Sequence, residues 1–367
     1  MAVLLTLNAI ATLVDNLRDD GRKVVAPVLH DTAISLAEIE TLDDLPSGWT
    51  EHQDGGTYRL ERLERAELFG HATTAMPWKK WLYPERTMLA RASRDHGSVI
   101  IEEPPPDTDP MAFFGIRSCD VHSLGILDRV FLDPIDPTYA ARRDGLFVVA
   151  ATCARPGGTC FCASMNTGPT PTAGFDIALT EICTDERHEF LAVAATQGGQ
   201  EQLERLNGTE ATAADLAAVE LIEGEATANM GRSLDPSHPR TAAGRYEHPE
   251  WDLVADRCLA CANCTMVCPT CFCSTTEDTT NLTGSVTERW RAWDSCFTLG
   301  FSFLAGAPLR SSIKSRYRQW LLHKLVTWHD QFGISGCVGC GRCITWCPVG
   351  IDLTLEIAAV AYDSGGH

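Results

Sequence analysis

Cys258-Leu-Ala-Cys261-Ala-Asn-Cys264-Thr-Met-Val-Cys268-Pro269 and Cys337-Val-Gly-Cys340-Gly-Arg-Cys343-Ile-Thr-Trp-Cys347-Pro348 are two copies of one pattern, C-x2-C-x2-C-x3-C-P. This is the spacing of bacterial [4Fe–4S] ferredoxins. Two-residue gaps let three thiolates of one tight loop reach three corners of a cubane, while the fourth Cys, followed by Pro, leaves that loop and ligates the other cluster. The crossing assignment is therefore Cys258, Cys261 and Cys264 with Cys347 for one cluster, and Cys337, Cys340 and Cys343 with Cys268 for the other. Zinc sites take paired C-x2-C knuckles and lack the trailing Cys-Pro.

Between the two runs lie 68 residues, more than a compact ferredoxin needs. Their periodicity is helical, with Trp320, Leu321, Lys324 and Trp328 on one face of residues 316–330. A short helix over 251–257 delivers Cys258 and another over 353–362 closes the chain, so a mainly α-helical two-cluster domain is expected over 249–367. Three further cysteines, Cys271, Cys273 and Cys296, either stand behind the ligands, replace one of them, or are buried structural residues. Thr-Cys-Phe-Cys occurs both at 159–162 and at 270–273. Arg310, Lys314, Arg316, Arg318, His323 and Lys324 form the one basic concentration, read as a solvated helix face or as a surface for an acidic partner. Trp290, Trp293, Trp320, Trp328 and Trp346 are expected to pack around the clusters.

Upstream, residues 232–245 carry Pro236 and Pro239 and little apolar content, and read as a linker. The expected division is an α/β domain over 1–235, a linker over 236–248 and the cluster domain. Lys23-Val-Val-Ala-Pro-Val-Leu29 is a strand, residues 32–47 a polar connection, 59–70 helix-compatible, and 76–84 a packed loop with two lysines. A strand over 112–116, a turn over 117–120 and a helix over 121–131, with Leu124, Leu127 and Phe131 at core spacing, put Cys119 at a strand's carboxyl end and a helix's amino end. The next strand, 145–151, leads into Cys153-Ala-Arg-Pro-Gly-Gly-Thr-Cys160-Phe-Cys162. If these strands are parallel neighbours, Cys119, Cys153, Cys160 and Cys162 converge at one sheet edge. Four thiolates suit a third iron–sulfur cluster or an all-thiolate zinc ion; inert thiols, or nucleophilic chemistry at Cys119, are the alternatives. Asp120 is either an N-cap or an oxygen ligand. Cys183 reads as a lone thiol, and residues 198–228 as helix-compatible.

The chain has 367 residues, 44% of them hydrophobic, enough for two cores. Its formal charge of −19 argues against nucleic acid and against an anionic membrane surface. Sixteen clustered Cys in a long chain imply metal binding in a reducing compartment, with the cytoplasm expected. No uncharged apolar run has the length of a transmembrane helix, and residues 1–14 lack the leading Lys or Arg of a signal peptide, so an amphipathic helix is expected there. Neither a strand-to-helix G-x-G-x-x-G nor a P-loop is present, which places nucleotide binding on another chain.

Taken together, Phe114-Gly-Ile-Arg-Ser-Cys119-Asp120, the loop from Cys153 to Cys162 with Asn166-Thr-Gly-Pro169, Val267-Cys-Pro-Thr-Cys-Phe-Cys273 and Cys337 to Pro348 resemble the beta (iron–sulfur) subunit of sulfhydrogenase-type cytosolic [NiFe] hydrogenases. That family is itself similar to the A subunit of anaerobic sulfite reductase. The resemblance implies a subunit that turns over no substrate itself and relays electrons between a flavin- and NAD(P)-binding subunit and a [NiFe] small and large subunit pair. It also implies the third cluster on Cys119, Cys153, Cys160 and Cys162. A sulfite reductase complex is the alternative assembly, and a zinc-stabilised or redox-responsive binding scaffold the alternative of another class.

Overall fold

The computed structural model describes residues 2–95 and 98–362. Met1 of the expected first helix, and residues 363–367 at the end of the expected cluster domain, lie outside the described residues. Strands follow along the chain as β1 (Ala2–Thr6), β2 (Lys23–His30), β3 (Ala33–Glu38), β4 (Trp49–Asp54), β5 (Thr57–Arg62), β6 (Arg86–Asp95), β7 (Ser98–Glu102), β8 (Met111–Arg117), β9 (Phe147–Ala151), β10 (Ile177–Cys183), β11 (His188–Ala194), β12 (Thr209–Glu210), β13 (Ser274–Thr280) and β14 (Val286–Trp293).

An eight-stranded sheet in the order β12-β1-β11-β10-β9-β8-β2-β3 forms the amino-terminal half. Its centre, β2, β8, β9 and β10, is parallel, and the outer strands pair antiparallel. Every residue of β8 and β9 is buried, the signature of parallel strands covered on both faces. Helix Leu7–Asp19 covers one face, packing Ile10, Leu13, Val14 and Leu17 on Val24, Phe114 and Val149. Helix Ser118–Phe131 covers the other, packing Leu124, Leu127 and Phe131 on Val25, Phe113 and Val148. The expected α/β half is therefore present, with β8 and β9 as parallel neighbours.

Local details differ from the sequence reading. The first helix starts only at Leu7, where the Ala9 N–H donates to the Thr6 hydroxyl as an N-cap; the apolar residues before it pair with β11 instead. Residues 32–47 contain β3, and the charged stretch from 59 begins as the second arm of the β4–β5 hairpin, turned at Gly55-Gly56. Residues 232–245 include a helix, His238–Ala243, packed against helix Leu353–Ala361.

The expectation of a mainly α-helical carboxyl-terminal domain needs correction. β13 and β14 form a hairpin, and β14 pairs with β6, giving a second sheet in the order β13-β14-β6-β7 to which both halves contribute. Thr and Trp in these strands are compatible with a pleated surface, and pairing of β14 with both β13 and β6 holds the hairpin extended. Helices do frame the rest: Glu250–Arg257 before Cys258, Ile313–Leu322 continuing through a π-turn at His323–Thr327 into Trp328–Phe332, and Leu353–Ala361 at the end.

Candidate metal centre

The two Cys runs fold alike. In each, the residue after the first Cys-x and the residue after the second Cys take left-handed backbone: Ala260 (φ 50°) and Ala262 (φ 67°) in the first, Gly339 (φ 67°) and Gly341 (φ 75°) in the second. These turns curl the loop so that backbone N–H groups face sulfur, with Ala260 N 3.4 Å from Cys258 Sγ and Gly339 N 3.5 Å from Cys337 Sγ. Ile351 N likewise donates to Cys347 Sγ at 3.3 Å. Such N–H···S contacts stabilise thiolate charge and tune cluster potential.

Cys258, Cys261, Cys264 and Cys347 line one cavity, walled by Phe297, Tyr317 and Trp320. Cys268, Cys337, Cys340 and Cys343 line a second, walled by Phe161, Trp320 and Lys324. The linings place Cys347 beside the three leading cysteines of the first run and Cys268 beside those of the second. Cys343 lines both cavities. Asn263 Nδ2 donates to the Trp346 carbonyl, tying the first loop to the tail of the second. Cys261 is exposed and Cys340 buried, so the first loop faces outward and the second inward.

At the carboxyl edge of the large sheet the four upstream cysteines come together. Cys119, Cys153, Cys160 and Cys162 are all buried. Cys119 and Cys162 pack with Cys340, Val338 and Trp328 in one cluster, and Cys153 pairs with Cys160 beside Met230. Cys160 Sγ lies 3.7 Å from the Cys340 carbonyl, so this group abuts the second dicluster cavity. Burial pushes all four thiols up, Cys162 to about 12, and Cys337 likewise to about 12. Loading metal on such thiols releases protons.

Charged groups hold these pieces in register. Asp120 is neither a cap nor an available ligand: both carboxylate oxygens accept from Arg342 Nη1 and Nη2, each at 2.8 Å, and both side chains are 1% exposed. Arg342 sits inside the second Cys run, and nothing in the sequence reading pointed to it. Its place between Cys340 and Cys343 was the available signal, since a buried loop forces any charge on it to find a partner. Arg117, just before Cys119, donates to the carbonyls of Phe69, His71, Ala72 and Thr152 and fixes the turn.

Cys271, Cys273 and Cys296 line a third thiol-bearing cavity beside Cys268. Lys324 Nζ donates to Cys268 Sγ at 3.2 Å and to the Thr270 hydroxyl at 2.8 Å. A hydrogen bond from Cys271 and the Lys324 ammonium hold Cys268 well below the ordinary thiol range. Lys79 reaches in from the first half, donating to the Cys271 carbonyl at 2.7 Å, and burial lowers it to about 8. The basic concentration is thus no solvated face: Arg316, Arg318 and Lys324 are buried, and Lys314 pairs with Asp252. Trp320 and Trp328 line thiol-bearing cavities and Trp346 stacks on Tyr58 at 5.0 Å, whereas Trp290 lies on β14 beneath Arg86. Cys183 stands apart at the end of β10. Among the described residues no three His, Cys, Asp or Glu side chains close on a single ion position.

Residues 257–351 match the 4Fe-4S dicluster domain family. This segment is a 4Fe-4S dicluster domain. Over 343 residues, 92% of each chain, the protein is 29% identical to sulfhydrogenase 2 subunit beta of Pyrococcus furiosus. The likeness read from the cysteine motifs therefore extends well outside the dicluster domain, across most of the α/β half. No solved structure matches the chain significantly. Among the described residues no helix is long and apolar enough to cross a membrane.

Proposed function

We propose that the chain is an iron–sulfur electron-transfer subunit with three clusters: on Cys258, Cys261, Cys264 and Cys347; on Cys337, Cys340, Cys343 and Cys268; and on Cys119, Cys153, Cys160 and Cys162. The observation that carries this is contiguity. Cys343 borders both dicluster cavities, and Cys340 touches both the second cavity and the upstream group. Donor chemistry fits as well, since each group offers four thiols among largely apolar residues, with Cys261 alone exposed.

A bound cluster accepts and returns one electron at a time. The chain's own residues supply the setting. Aromatic side chains around the dicluster cavities, Phe297, Tyr317 and Trp320, exclude water, and the N–H groups of Ala260, Gly339 and Ile351 stabilise the thiolates. Lys324 places positive charge beside Cys268, which favours the reduced state, whereas the charge of Arg342 near Cys340 is offset by Asp120. At the outer end, exposed Cys261 with Leu259 offers the contact point for a redox partner.

The partners proposed are a flavin- and NAD(P)-binding subunit on one side and a [NiFe] catalytic module on the other, as the motif resemblance implies; the relative's name, sulfhydrogenase 2 subunit beta, supports membership of a multi-subunit hydrogenase. Purified without oxygen, the chain should be brown, and it should contain at least about twelve iron and matching acid-labile sulfide. Cys340→Ser and Cys153→Ser should each remove about four of each. Zinc without sulfide would overturn the reading in favour of a scaffold. Co-purifying subunits decide the assembly: nickel supports the hydrogenase, a siroheme the sulfite reductase.

A further inference from the structure

Three cysteines outside these groups share one cavity. Cys271, Cys273 and Cys296 line it with His323, Arg310, Lys324, Phe301, Trp320 and Trp328. Its volume is about 250 Å³, against about 30 and 20 Å³ for the two dicluster cavities, so it is the roomiest of the three. All three cysteines border this space.

A second, independent observation comes from the repeated Thr-Cys-Phe-Cys. Both copies flank the loop that carries Cys337, Cys340 and Cys343, and both are anchored to it through their threonine. The Thr159 hydroxyl hydrogen-bonds the Thr345 hydroxyl at 2.7 Å, just after that loop, and the Thr270 hydroxyl donates to the Gly336 carbonyl at 2.7 Å, just before it. Phe161 is fully buried, and Phe272 packs on Phe131 and Trp328. The same four residues are thus used twice, on opposite flanks of one cluster loop. Where the first copy joins Cys119 and Cys153, the second joins Cys296, which lines the same cavity as Cys273.

Charge points the same way. Three thiolates and a sulfide-bearing cluster carry net negative charge, which is costly to bury without compensation. Lys324 and Arg310 line the cavity, and Lys79 Nζ sits at the Cys271 carbonyl and 4.0 Å from the Trp293 ring centroid. His323 borders the same cavity, and its imidazole is a metal-ligating group.

We propose that Cys271, Cys273 and Cys296 hold a fourth iron–sulfur cluster, with His323 as the remaining ligand. Trp320 and Lys324 border both this cavity and the one lined by Cys268, Cys337, Cys340 and Cys343, so the site branches from the middle of the relay. The proposal rests on the chain being a cluster protein, but not on which residues hold the other three.

The test is iron and sulfide content of the full chain after anaerobic reconstitution to saturation. Wild type should hold about sixteen iron and sixteen sulfide, the content of four cubanes. Cys273→Ser and Cys296→Ser should each hold about twelve, and His323→Cys should keep about sixteen with a changed EPR signal. Cys153→Ser reports the upstream site separately, and Cys183→Ser serves as the unchanged control. A wild-type content of about twelve that Cys153→Ser lowers and Cys273→Ser leaves alone would overturn the fourth site while sparing the proposed relay. A Cys273–Cys296 disulfide in thiol-blocked wild type, found by mass spectrometry, would also overturn it, and needs no variant to fold.

Discussion

Asp120 and Arg342 join the helix after Cys119 to the loop between Cys340 and Cys343, and neither side chain reaches water. Removing one partner of a buried pair strands the other charge, at about 3–5 kcal/mol, whereas removing both is nearly neutral. Asp120→Leu should therefore lower the anaerobic unfolding midpoint sharply, and adding Arg342→Met should recover most of the loss. Glu51 gives a pH signature. Burial pushes its carboxyl up to about 7, with Ala72 N–H and Gln53 as its hydrogen-bond donors. Between its ordinary 4.5 and about 7 the unfolded chain has lost this proton and the folded chain has not, so stability falls as pH rises through that window. The fall is at most about 3 kcal/mol and is complete above about pH 7. Glu51→Gln should match wild type near pH 5 and melt higher near pH 8, a difference read from thermal midpoints at the two pH values. At this scale the sequence was legible for sulfur and opaque for charge. A Cys announces its chemistry by spacing, but Asp120 could be assigned only once its partner, far along the chain, was next to it.

The two Cys loops share their left-handed turns yet not their residues. Ala suffices at 260 and 262, at a steric cost, because that loop faces outward. At Gly339 and Gly341 a Cβ would lie 2.7 Å from Cys162 Cα and 2.5 Å from the Thr159 carbonyl oxygen. Backbone meets backbone there, since Phe161 N donates to the Gly339 carbonyl at 2.8 Å. On the proposed assignment, Gly341→Ala should thus force the loop off residues 159–162 and release iron from the second cluster and the upstream group together, leaving the Cys258 site loaded. Iron content and EPR amplitudes of the variant check this. Helices with a clear apolar face, such as those ending at Phe131 and Leu322, were readable. β13 was not: Ser274–Thr280 has no apolar alternation, and what makes it a strand is its pairing with β14.

The division into an α/β half and a cluster half is visible in the motifs, but the structure crosses it repeatedly. Lys79 reaches Cys271, Arg232 binds Asp352 at 2.6 Å, and β6 pairs with β14. No composition shift could have predicted these, because each depends on two segments that meet only in the folded molecule. A fragment spanning 249–367 should accordingly fail to retain the second cluster, since it lacks the residues that cover Val338, Cys340 and Arg342; anaerobic gel filtration with iron analysis would decide it. The shared sheet has a consequence in time. During synthesis the β6–β7 hairpin emerges well before β14 exists to pair with it, and Cys119, Cys153, Cys160 and Cys162 emerge before the loop that seals them. These four thiols therefore stay uncovered until the second Cys run has been made, because Val338 and Cys340 of that run supply part of their cover.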